Sequence, residues 1–391
     1  MTARITVSHF GGRQSFPLVE ALNDAGMLDR FLTGFYLTRS SAGWLSRAVP
    51  RLGNYVLDTP AGKARMPSLS YVAYKLALPW VAENEKRKTM WRFLSSFDLA
   101  VARRLPSIAS DIFIGFEYSS LESFRKARNL GCTTVLEASS VHYSYQAQAL
   151  RGTPIESQVL ATIPRKQQEI ELADHIVVLS SFAKRTYLDA GIEEGRITVI
   201  APYVSPLGGA SSPSRQSRDR ESVRFLYAGN LGHHKGSDLL LEAFRALAFK
   251  EKELRMVGGR IQDAPANVEV IGRVPRERLA DHFAWADYFV LPSRFDGYGF
   301  VVAEAMRMGV PVIVSDAVGA ADLVSPGQNG WIFKSGDAGS LHDAMERAVS
   351  ARDAWTAMSR AAPASAATLT RERYVERVIA AYNGIASGRR P

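Results

Sequence analysis

Two acidic residues frame a glycine-rich turn in the second half of the chain. Asp296 directly precedes this turn, and Glu304 follows it inside the apolar run "FVVAEAMRM". The turn itself consists of Gly297, Tyr298, Gly299 and Phe300. Glycines let a ligand approach the backbone, and the helix that begins here offers unpaired N–H groups, which suits a diphosphate. An ionised Glu304 among apolar neighbours needs partners, either ligand hydroxyls or an arginine of a neighbouring helix.

Two further loops have residues suited to an anionic ligand. Gly11 and Gly12 follow the first predicted strand, where an ordinary tight turn is an equal alternative. The loop that begins at Asn230 places Lys235 where one strand has ended and a helix begins. A hydrogen bond from its ammonium to a phosphate is worth about 1.5–3 kcal/mol, although a solvated lysine also fits this position. Neither loop has the G-x-G-x-x-G spacing, so a nicotinamide enzyme is not expected.

Short apolar runs alternate with helical stretches throughout the chain. The predicted strands are 4–9, 111–116, 133–138, 175–180, 196–200, 223–229, 254–259, 268–272, 288–292, 310–316 and 330–333. The predicted helices include 236–249, 275–285, 299–308 and 338–350. Continuous apolar strands alternating with helices predict an α/β protein with doubly wound parallel sheets. Ligands of such sheets bind beyond the carboxyl ends of the strands.

The stretch 205–222, rich in Gly, Ser, Pro and charge, reads as a linker between two domains. The predicted domains are 1–204 and 223–370, facing each other across a cleft. A chain of 391 residues is long enough for two such cores. The last helical stretch, within 371–391, is a candidate to pack back on the first domain.

The composition is typical of a globular protein in a reducing compartment. The single cysteine excludes an internal disulfide, residues 1–30 lack a signal-peptide pattern, and no apolar run has the roughly 20 residues needed to span a bilayer. A cytoplasmic location is therefore expected. The net charge of +9 favours anionic partners, but no nucleic-acid-binding motif accompanies it, so nucleic acid is not expected.

Basic and aromatic residues are concentrated in the region 39–104. It contains twelve lysines and arginines interleaved with tryptophans and tyrosines. Such a mixture suits peripheral contact with the inner face of a membrane, with cations on phosphates and rings at headgroup depth. A solvated face over a packed helical insertion explains it equally well.

Two segments together resemble the signature segments of retaining glycosyltransferases of family 4. They are "FLYAGNLGHHKGSDLLLEAF" and "PSRFDGYGFVVAEAMRMGVPVIVSDAVGAADLV". The stretch 169–205 is also similar to the segment that precedes the hinge in that family. The resemblance covers about residues 130–350, and it implies the GT-B fold of two Rossmann-like domains. Residues 1–204 would then form the acceptor-side domain and 223–370 the domain that binds the nucleotide-sugar donor.

The resemblance implies roles for individual residues in binding a nucleotide sugar. Asp296 would contact hydroxyls of the donor sugar, Glu304 would hold the ribose, and the backbone of 297–300 would meet the diphosphate. Lys235 occupies a phosphate-binding position. Asn230 stands where the family usually has arginine, so another cation, Arg260 or Arg273, would have to replace its charge.

Other positions match the family less specifically. His142 matches a first-domain histidine that reaches the donor sugar, and a purely structural histidine is the alternative. Gly11 and Gly12 match the glycine-rich donor loop, while base contacts are expected near Val274. Asp322 falls on an acidic position to which no role is assigned. Tyr203 stands where a glycine is common.

The implied activity is retaining transfer of a sugar from a nucleotide-diphosphate donor to a hydroxyl acceptor. The acceptor would be a glycan, a lipid-linked sugar or a small glycoside. No cofactor is expected, and no metal either, because the sequence has no D-x-D triad or His/Cys cluster at ligand spacing. The alternatives are a nucleotide-sugar epimerase on the same architecture and a sugar-nucleotide-binding protein without turnover.

Overall fold

The chain folds into two parallel β-sheets with helices around them. The computed structural model describes residues 2–11, 13–38, 55–57, 62–82, 85–205, 207, 222–261 and 264–388. The first sheet has seven strands in the order β3-β2-β1-β4-β5-β6-β7, and the second has six in the order β10-β9-β8-β11-β12-β13. Every strand pair in both sheets is parallel.

The strands of both sheets are short, with two to six residues each. The first sheet contains β1 (Ile5–His9), β2 (Leu28–Thr33), β3 (Ala64–Arg65), β4 (Ile112–Phe116), β5 (Thr133–Ala138), β6 (His175–Val178) and β7 (Ile197–Val199). The second contains β8 (Val223–Ala228), β9 (Lys252–Val257), β10 (Val268–Ile271), β11 (Tyr288–Leu291), β12 (Val312–Ser315) and β13 (Gly330–Phe333). The order in each sheet reverses beside its first strand, as in doubly wound folds.

Helices connect most of these strands. Those associated with the first sheet are α1 (Phe16–Asp24), α2 (Ser70–Ala77), α3 (Lys86–Arg104), α4 (Leu121–Asn129), α5 (Tyr143–Ala149), α6 (Glu156–Leu160), α7 (Ile163–Leu172) and α8 (Ser181–Leu188). The second sheet has α9 (Ser237–Ala246), α10 (Arg276–Trp285), α11 (Phe300–Arg307), α12 (Ala338–Ser350) and α13 (Trp355–Ser365), and the chain ends with α14 (Arg371–Ala386).

The first sheet is buried on both faces, which explains why its strands are apolar without alternation. Val7 and Ile114 belong to one hydrophobic cluster, whereas Phe113 and Leu136 belong to another. This is the arrangement expected of a parallel sheet covered by crossover helices. The predicted α/β class and the two doubly wound layers are confirmed.

The structure contains two strands that the sequence pattern did not predict, β2 and β3. Strand β2 reads "LDRFLT", and its polar residues Asp29 and Arg30 interrupt the apolar run. Strand β3 has only two residues and pairs with Phe31 and Leu32 at the sheet edge. Strand β3 forms the edge of the sheet and β2 lies next to it, with Asp29 and Arg30 only partly buried. Polar residues are tolerated there, so the sequence signal is weaker.

The C-terminal helix α14 packs on the first sheet. Its Val378, Tyr382 and Ile385 lie in the same cluster as Val7 and Ile114. Tyr382 Oη donates a 2.6 Å hydrogen bond to Glu137 Oε1 at the end of β5. The chain therefore crosses back after the second sheet and fixes its last helix on the first one.

Most of the predicted linker 205–222 lies outside the described residues, as do 39–54 of the basic, aromatic region. Among the helices of the described part of the chain, none is long and apolar enough to cross a bilayer.

Candidate functional site

A cleft of about 660 Å³ lies between the two sheets. Its wall brings together residues from the carboxyl ends of strands in both sheets and from the crossing segment between them. The lining residues are Gln14, Pro17, Leu18, Phe116, Glu137, Ser139, Leu179, Ile200, Pro202, Tyr203, Val204, Ser205, Arg276, Asp296, Tyr298, Phe300, Glu304 and Tyr374. Four of the residues predicted for the site, Asp296, Tyr298, Phe300 and Glu304, line this cleft.

The glycine turn packs tightly against loops on both sides. Gly299 has φ +81°, and a Cβ atom there would also lie 2.7 Å from Val318 Cγ1, so this position favours glycine. A Cβ atom at Gly297 would overlap the carbonyl oxygen of Ser139, which belongs to the first sheet's side of the cleft. Ser180 Oγ donates a 2.7 Å hydrogen bond to Gly297 O. The turn therefore contacts the first domain directly.

The loop after β8 is fastened to the loop after β11. Arg294 makes a bidentate pair with Asp238, with distances of 2.9 and 2.8 Å, and its backbone N–H donates to His234 O at 2.9 Å. These contacts place Lys235 beside Asp296, and the two side chains form an ion pair. Each is about one fifth exposed, so the pair is reachable from the cleft. The structure thus brings together two predicted residues from separate loops.

Glu304 is paired with an arginine of a neighbouring helix. Arg276, the first residue of α10, donates to Glu304 Oε1 from Nη2 at 2.6 Å and from Nε at 3.1 Å. The same guanidinium donates to Ser205 O at 3.1 Å. The Glu304 side chain is only 11% exposed, which explains its need for a partner. Of the two partners that the sequence left open for Glu304, the structure shows the arginine.

Asn230 lies on the surface with an arginine beside it. Arg273 Nη2 donates to Asn230 Oδ1 at 3.3 Å, and Tyr227 Oη donates to the Asn230 carbonyl at 2.6 Å. Arg273 is exposed, and so is Arg260, the other cation considered in the sequence. Arg273 therefore places a positive charge next to the amide that replaces the family's usual arginine.

His142 is buried, with 4% exposure, and is not among the residues that line the cleft. It caps α5, with Nδ1 accepting from Ser144 N at 3.3 Å, which leaves the ring proton on Nε2. Burial, assisted by the charge of Lys166, lowers the pKa of His142 to about 4, so the ring is neutral at pH 7. The contacts of His142 are therefore those of a structural, helix-capping residue.

The structure places most of the remaining predicted positions outside the cleft lining. Gly11 lies beside the His9 ring, whereas Gly12 is outside the described residues. Val274 is half-buried against the core of the second domain. Asp322 Oδ2 accepts a 3.4 Å hydrogen bond from Ser181 N across the domain boundary. Tyr203 lines the cleft, with its ring centre 5.5 Å from that of Tyr374.

Sequence reasoning missed Arg276 and Glu137, which line the cleft, and Ser180, which donates a hydrogen bond to the glycine turn. Glu137 lies at the end of β5, and burial raises the pKa of its carboxyl to about 7, opposed by the hydrogen bond from Tyr382. The sequence did contain a signal for Glu137. Glu137 interrupts the apolar run "TTVLEA" as Glu304 interrupts "FVVAEAM". Arg276 and Ser180 carry no such local signal.

The second domain is similar in sequence to known glycosyltransferases. The family model described as glycosyl transferases group 1 matches residues 222–351. A D-inositol 3-phosphate glycosyltransferase of Nocardiopsis dassonvillei is 26% identical over 263 residues, covering 60% of this chain and 61% of the relative. The chain spans about half to three fifths of the length of the first curated relatives it matches.

Solved structures extend the similarity to the whole fold. Sucrose-phosphate synthase from Thermosynechococcus elongatus has a TM-score of 0.67 at 17% identity, covering 99% of this chain and 100% of that one. Anabaena HepE in complex with UDP-glucose has a TM-score of 0.62 at 13% identity, covering 98% and 100%. At such identities the structures show the fold, which is GT-B. The matched segment, the relatives and the shared fold support similarity to GT4-like glycosyltransferases.

Proposed function

We propose that the protein transfers a sugar, with retention of anomeric configuration, from a nucleotide-diphosphate donor to a hydroxyl acceptor. The observation that carries this proposal is the convergence of Lys235 and Asp296 at the glycine turn on the cleft wall. The relatives that are named glycosyltransferases support transfer, and the HepE complex shows that this fold holds UDP-glucose in another protein.

The donor diphosphate would bind between Lys235 and the N-terminus of α11. Lys235 would exchange Asp296 for a phosphate oxygen, which releases the Asp296 carboxylate to accept hydrogen bonds from the donor sugar. The helix N-terminus adds N–H donors on the opposite side of the diphosphate. The ion pair therefore keeps both groups in place until the donor arrives.

Glu304 would bind the ribose of the nucleotide with the oxygen that Arg276 does not use. Both contacts from Arg276 go to Oε1. Among the hydrogen bonds between described residues, none is made to Oε2. A ribose hydroxyl can therefore donate to Glu304 without breaking the pair, and Arg276 would hold the carboxylate in position.

Transfer requires positive charge at the departing diphosphate, because negative charge grows there in an oxocarbenium-like transition state. The bond from the anomeric carbon to the diphosphate breaks while the acceptor oxygen forms its bond on the same face of the sugar. Lys235 supplies one charge. Arg273 would supply the second charge, and its hydrogen bond to Asn230 supports this role.

We further propose that the reaction needs no metal ion. Among the residues that the structure describes, no group of three His, Cys, Asp or Glu side chains is arranged to hold one. Lys235, Arg273 and the helix N-terminus would provide the charge that a metal provides elsewhere. A cytoplasmic place of action is also proposed, and it fits the free, buried thiol of Cys132.

The test is a screen of donors followed by a transfer assay. Thermal-shift measurements with UDP, GDP, ADP and their sugars should reveal one nucleotide class that stabilises the protein. Transfer to glycans, lipid-linked sugars and small glycosides is then measured with that donor, with and without EDTA. Transfer with inverted configuration, or activity lost to EDTA and restored by Mn²⁺, would contradict the mechanism.

Two other outcomes would replace the proposed activity. Interconversion of free sugar nucleotides without any acceptor would indicate an epimerase. Donor-induced stabilisation with neither transfer nor hydrolysis across the acceptor panel would indicate a binding protein.

A further inference from the structure

The helix α2 and the turn after it expose an apolar surface. Leu69 is 67% exposed, Leu76 is 70% exposed and Trp80 is 89% exposed. Ala73 is also exposed and lies between them in sequence. These four residues form what we call the outer apolar face. Single exposed apolar residues are ordinary, but large exposed side chains in one place indicate an interaction surface.

Helical geometry puts these residues on one side. At about 100° per residue, Leu69, Ala73 and Leu76 lie within an arc of roughly 60°, and Trp80 continues it in the 3₁₀ turn Leu78–Trp80. The opposite side of α2 carries Tyr71, which is buried and packs on the first domain. A surface helix normally has a polar outer side. Here both sides of α2 are apolar, so the outer side needs a partner that covers it.

The segment that carries the outer apolar face has cations but no acids. Residues 62–82 contain no Asp or Glu. Arg65 and Lys75 are exposed, and Lys75 lies on the flank of α2, with its ammonium over the rings of Tyr71 and Tyr74. Arg104 donates a 2.9 Å hydrogen bond to Pro67 O, which adds a third positive charge close to Leu69. Apolar side chains bordered by cations match an anionic lipid surface.

The face is connected to the loops at the mouth of the cleft. Tyr71 and Tyr74, from the inner side of α2, pack against Phe10, with ring-centre distances of 5.2 and 6.1 Å. Phe10 follows β1 and directly precedes Gly11 in the first glycine loop. The outer apolar face therefore lies on the same end of the first sheet as the cleft.

We propose that the outer apolar face inserts into the headgroup region of a bilayer that contains anionic phospholipid. Leu69, Leu76 and Trp80 would enter the boundary between headgroups and acyl chains, while Arg65, Lys75 and Arg104 contact lipid phosphates. The contact would hold the cleft mouth at the membrane surface. It does not depend on the proposed transfer activity, and it identifies the part of the region 39–104 that meets the lipid.

The test is co-sedimentation of the full-length protein with lipid vesicles. The wild type should bind vesicles containing phosphatidylglycerol and bind pure phosphatidylcholine vesicles much more weakly, with the difference reduced at high salt. The double variant Leu76→Ser/Trp80→Ser should lower the vesicle partition coefficient about tenfold or more. Lys75→Glu/Arg65→Glu should remove the preference for the anionic lipid.

A matched control is available on the same domain. Leu130 and Leu160 are 43% and 46% exposed, so Leu130→Ser/Leu160→Ser removes exposed apolar side chains elsewhere on the domain. It should change vesicle binding less than about twofold. The emission of Trp80, obtained by subtracting the spectrum of Trp80→Phe, should shift to the blue on vesicles, which tests insertion in folded protein without relying on the double variant.

Three results would overturn the proposal. They are no vesicle binding by the wild type at low salt, unchanged binding by Leu76→Ser/Trp80→Ser, and loss of self-association rather than of lipid binding in that variant. The last would make the face an interface between copies of the chain. Donor-induced thermal stabilisation should persist in the variant, so failure here is distinguishable from failure of the proposed transfer.

Discussion

Lys235 and Asp296 are 61 residues apart in sequence and meet in an ion pair. At the scale of single residues, the candidate site depends on three such charged contacts. Lys235 faces Asp296, Arg276 faces Glu304, and Arg273 lies beside Asn230. Each contact puts a positive group within reach of an anionic ligand, and each can be changed independently.

Substitution of Lys235 by alanine should weaken binding of the nucleotide diphosphate. The lost hydrogen bond to phosphate is worth about 1.5–3 kcal/mol, which corresponds to a roughly tenfold to 150-fold rise in Kd. Isothermal calorimetry with the stabilising nucleotide measures it. Lys126→Ala, on the surface of α4, is the control. Equal affinities for the two variants would remove Lys235 from the site.

Glu304→Ala and Arg276→Ala should have different effects. Loss of Glu304 should lower donor affinity or turnover about tenfold or more, because a ribose contact is lost. Loss of Arg276 should leave Oε2 of Glu304 available to ribose and should mainly reduce thermal stability. Both donor affinity and melting temperature are therefore measured for each variant. If both variants change only the melting temperature, the pair is structural.

Arg273→Gln should reduce kcat more than it changes KM, since its charge is needed most when the diphosphate departs. We expect a fall of about tenfold or more in kcat/KM. Arg260→Gln is a suitable comparison, because Arg260 is a nearby exposed arginine of the same domain. Identical kinetics for the two variants would show that Arg273 does not replace the missing charge.

At the scale of elements, helix α14 completes the first domain. It packs against the face of the sheet that carries Val7, and Arg371 at its start donates to Asp24 of α1 at 2.9 Å. Its most consequential contact is Tyr382 to Glu137, because Glu137 is buried and its carboxyl has a raised pKa of about 7. The docking of this helix is therefore linked to protonation of a residue in the cleft wall.

Glu137→Gln should change how stability depends on pH. The folded protein binds the Glu137 proton more tightly than the unfolded chain does, so the wild type loses stability as pH rises from about 4.5 through about 7. Glutamine accepts the same hydrogen bond from Tyr382 without ionising. The variant should therefore gain stability relative to wild type between about pH 5 and pH 8, by up to roughly 3 kcal/mol.

Denaturant unfolding at each pH measures this difference. If the difference in unfolding free energy between variant and wild type stays constant across the range, the pKa of Glu137 does not change on folding. Tyr382→Phe offers a second check, because it removes the hydrogen bond that lowers the pKa of Glu137 and should extend the pH-dependent loss to higher pH.

At the scale of the whole molecule, the two domains touch through the glycine turn. Gly297 lies against Ser139 and Ser140, and its carbonyl accepts from Ser180. Arg307 Nη1 adds a 3.1 Å hydrogen bond to Val204 O in the crossing segment. The turn that is proposed to hold the diphosphate is thus also the place where the domains meet.

Gly297→Ala should hold the domains apart. Its Cβ would overlap the Ser139 carbonyl oxygen and lie 3.0 Å from Ser140 Cα, and both are backbone atoms that cannot rotate away. We expect a larger radius of gyration in small-angle scattering and a fall in kcat. Gly272→Ala is the control, since no atom lies within 4 Å of its added Cβ. An unchanged radius with full activity would show that this contact is dispensable.

The sequence by itself determined the fold class, the strands of the two sheet interiors and the glycine turn. Interior strands such as β4 and β11 are buried on both faces, and continuous apolar runs record that burial locally. The sequence also indicated Asp296, Lys235 and Glu304, because each is a charged residue next to a glycine or within an apolar run. The partly polar strand β2 and the two-residue edge strand β3 left no comparable pattern.

Only the tertiary structure decided how these residues are paired. No local pattern specifies that Arg276 pairs with Glu304 or that Gly297 contacts Ser139. The same is true of the helix-capping role of His142. The exposed outer apolar face on α2 belongs with them, because an apolar helix looks the same in sequence whichever side is buried. Local sequence records how deeply a position is buried, whereas partners are chosen by the packing of distant segments.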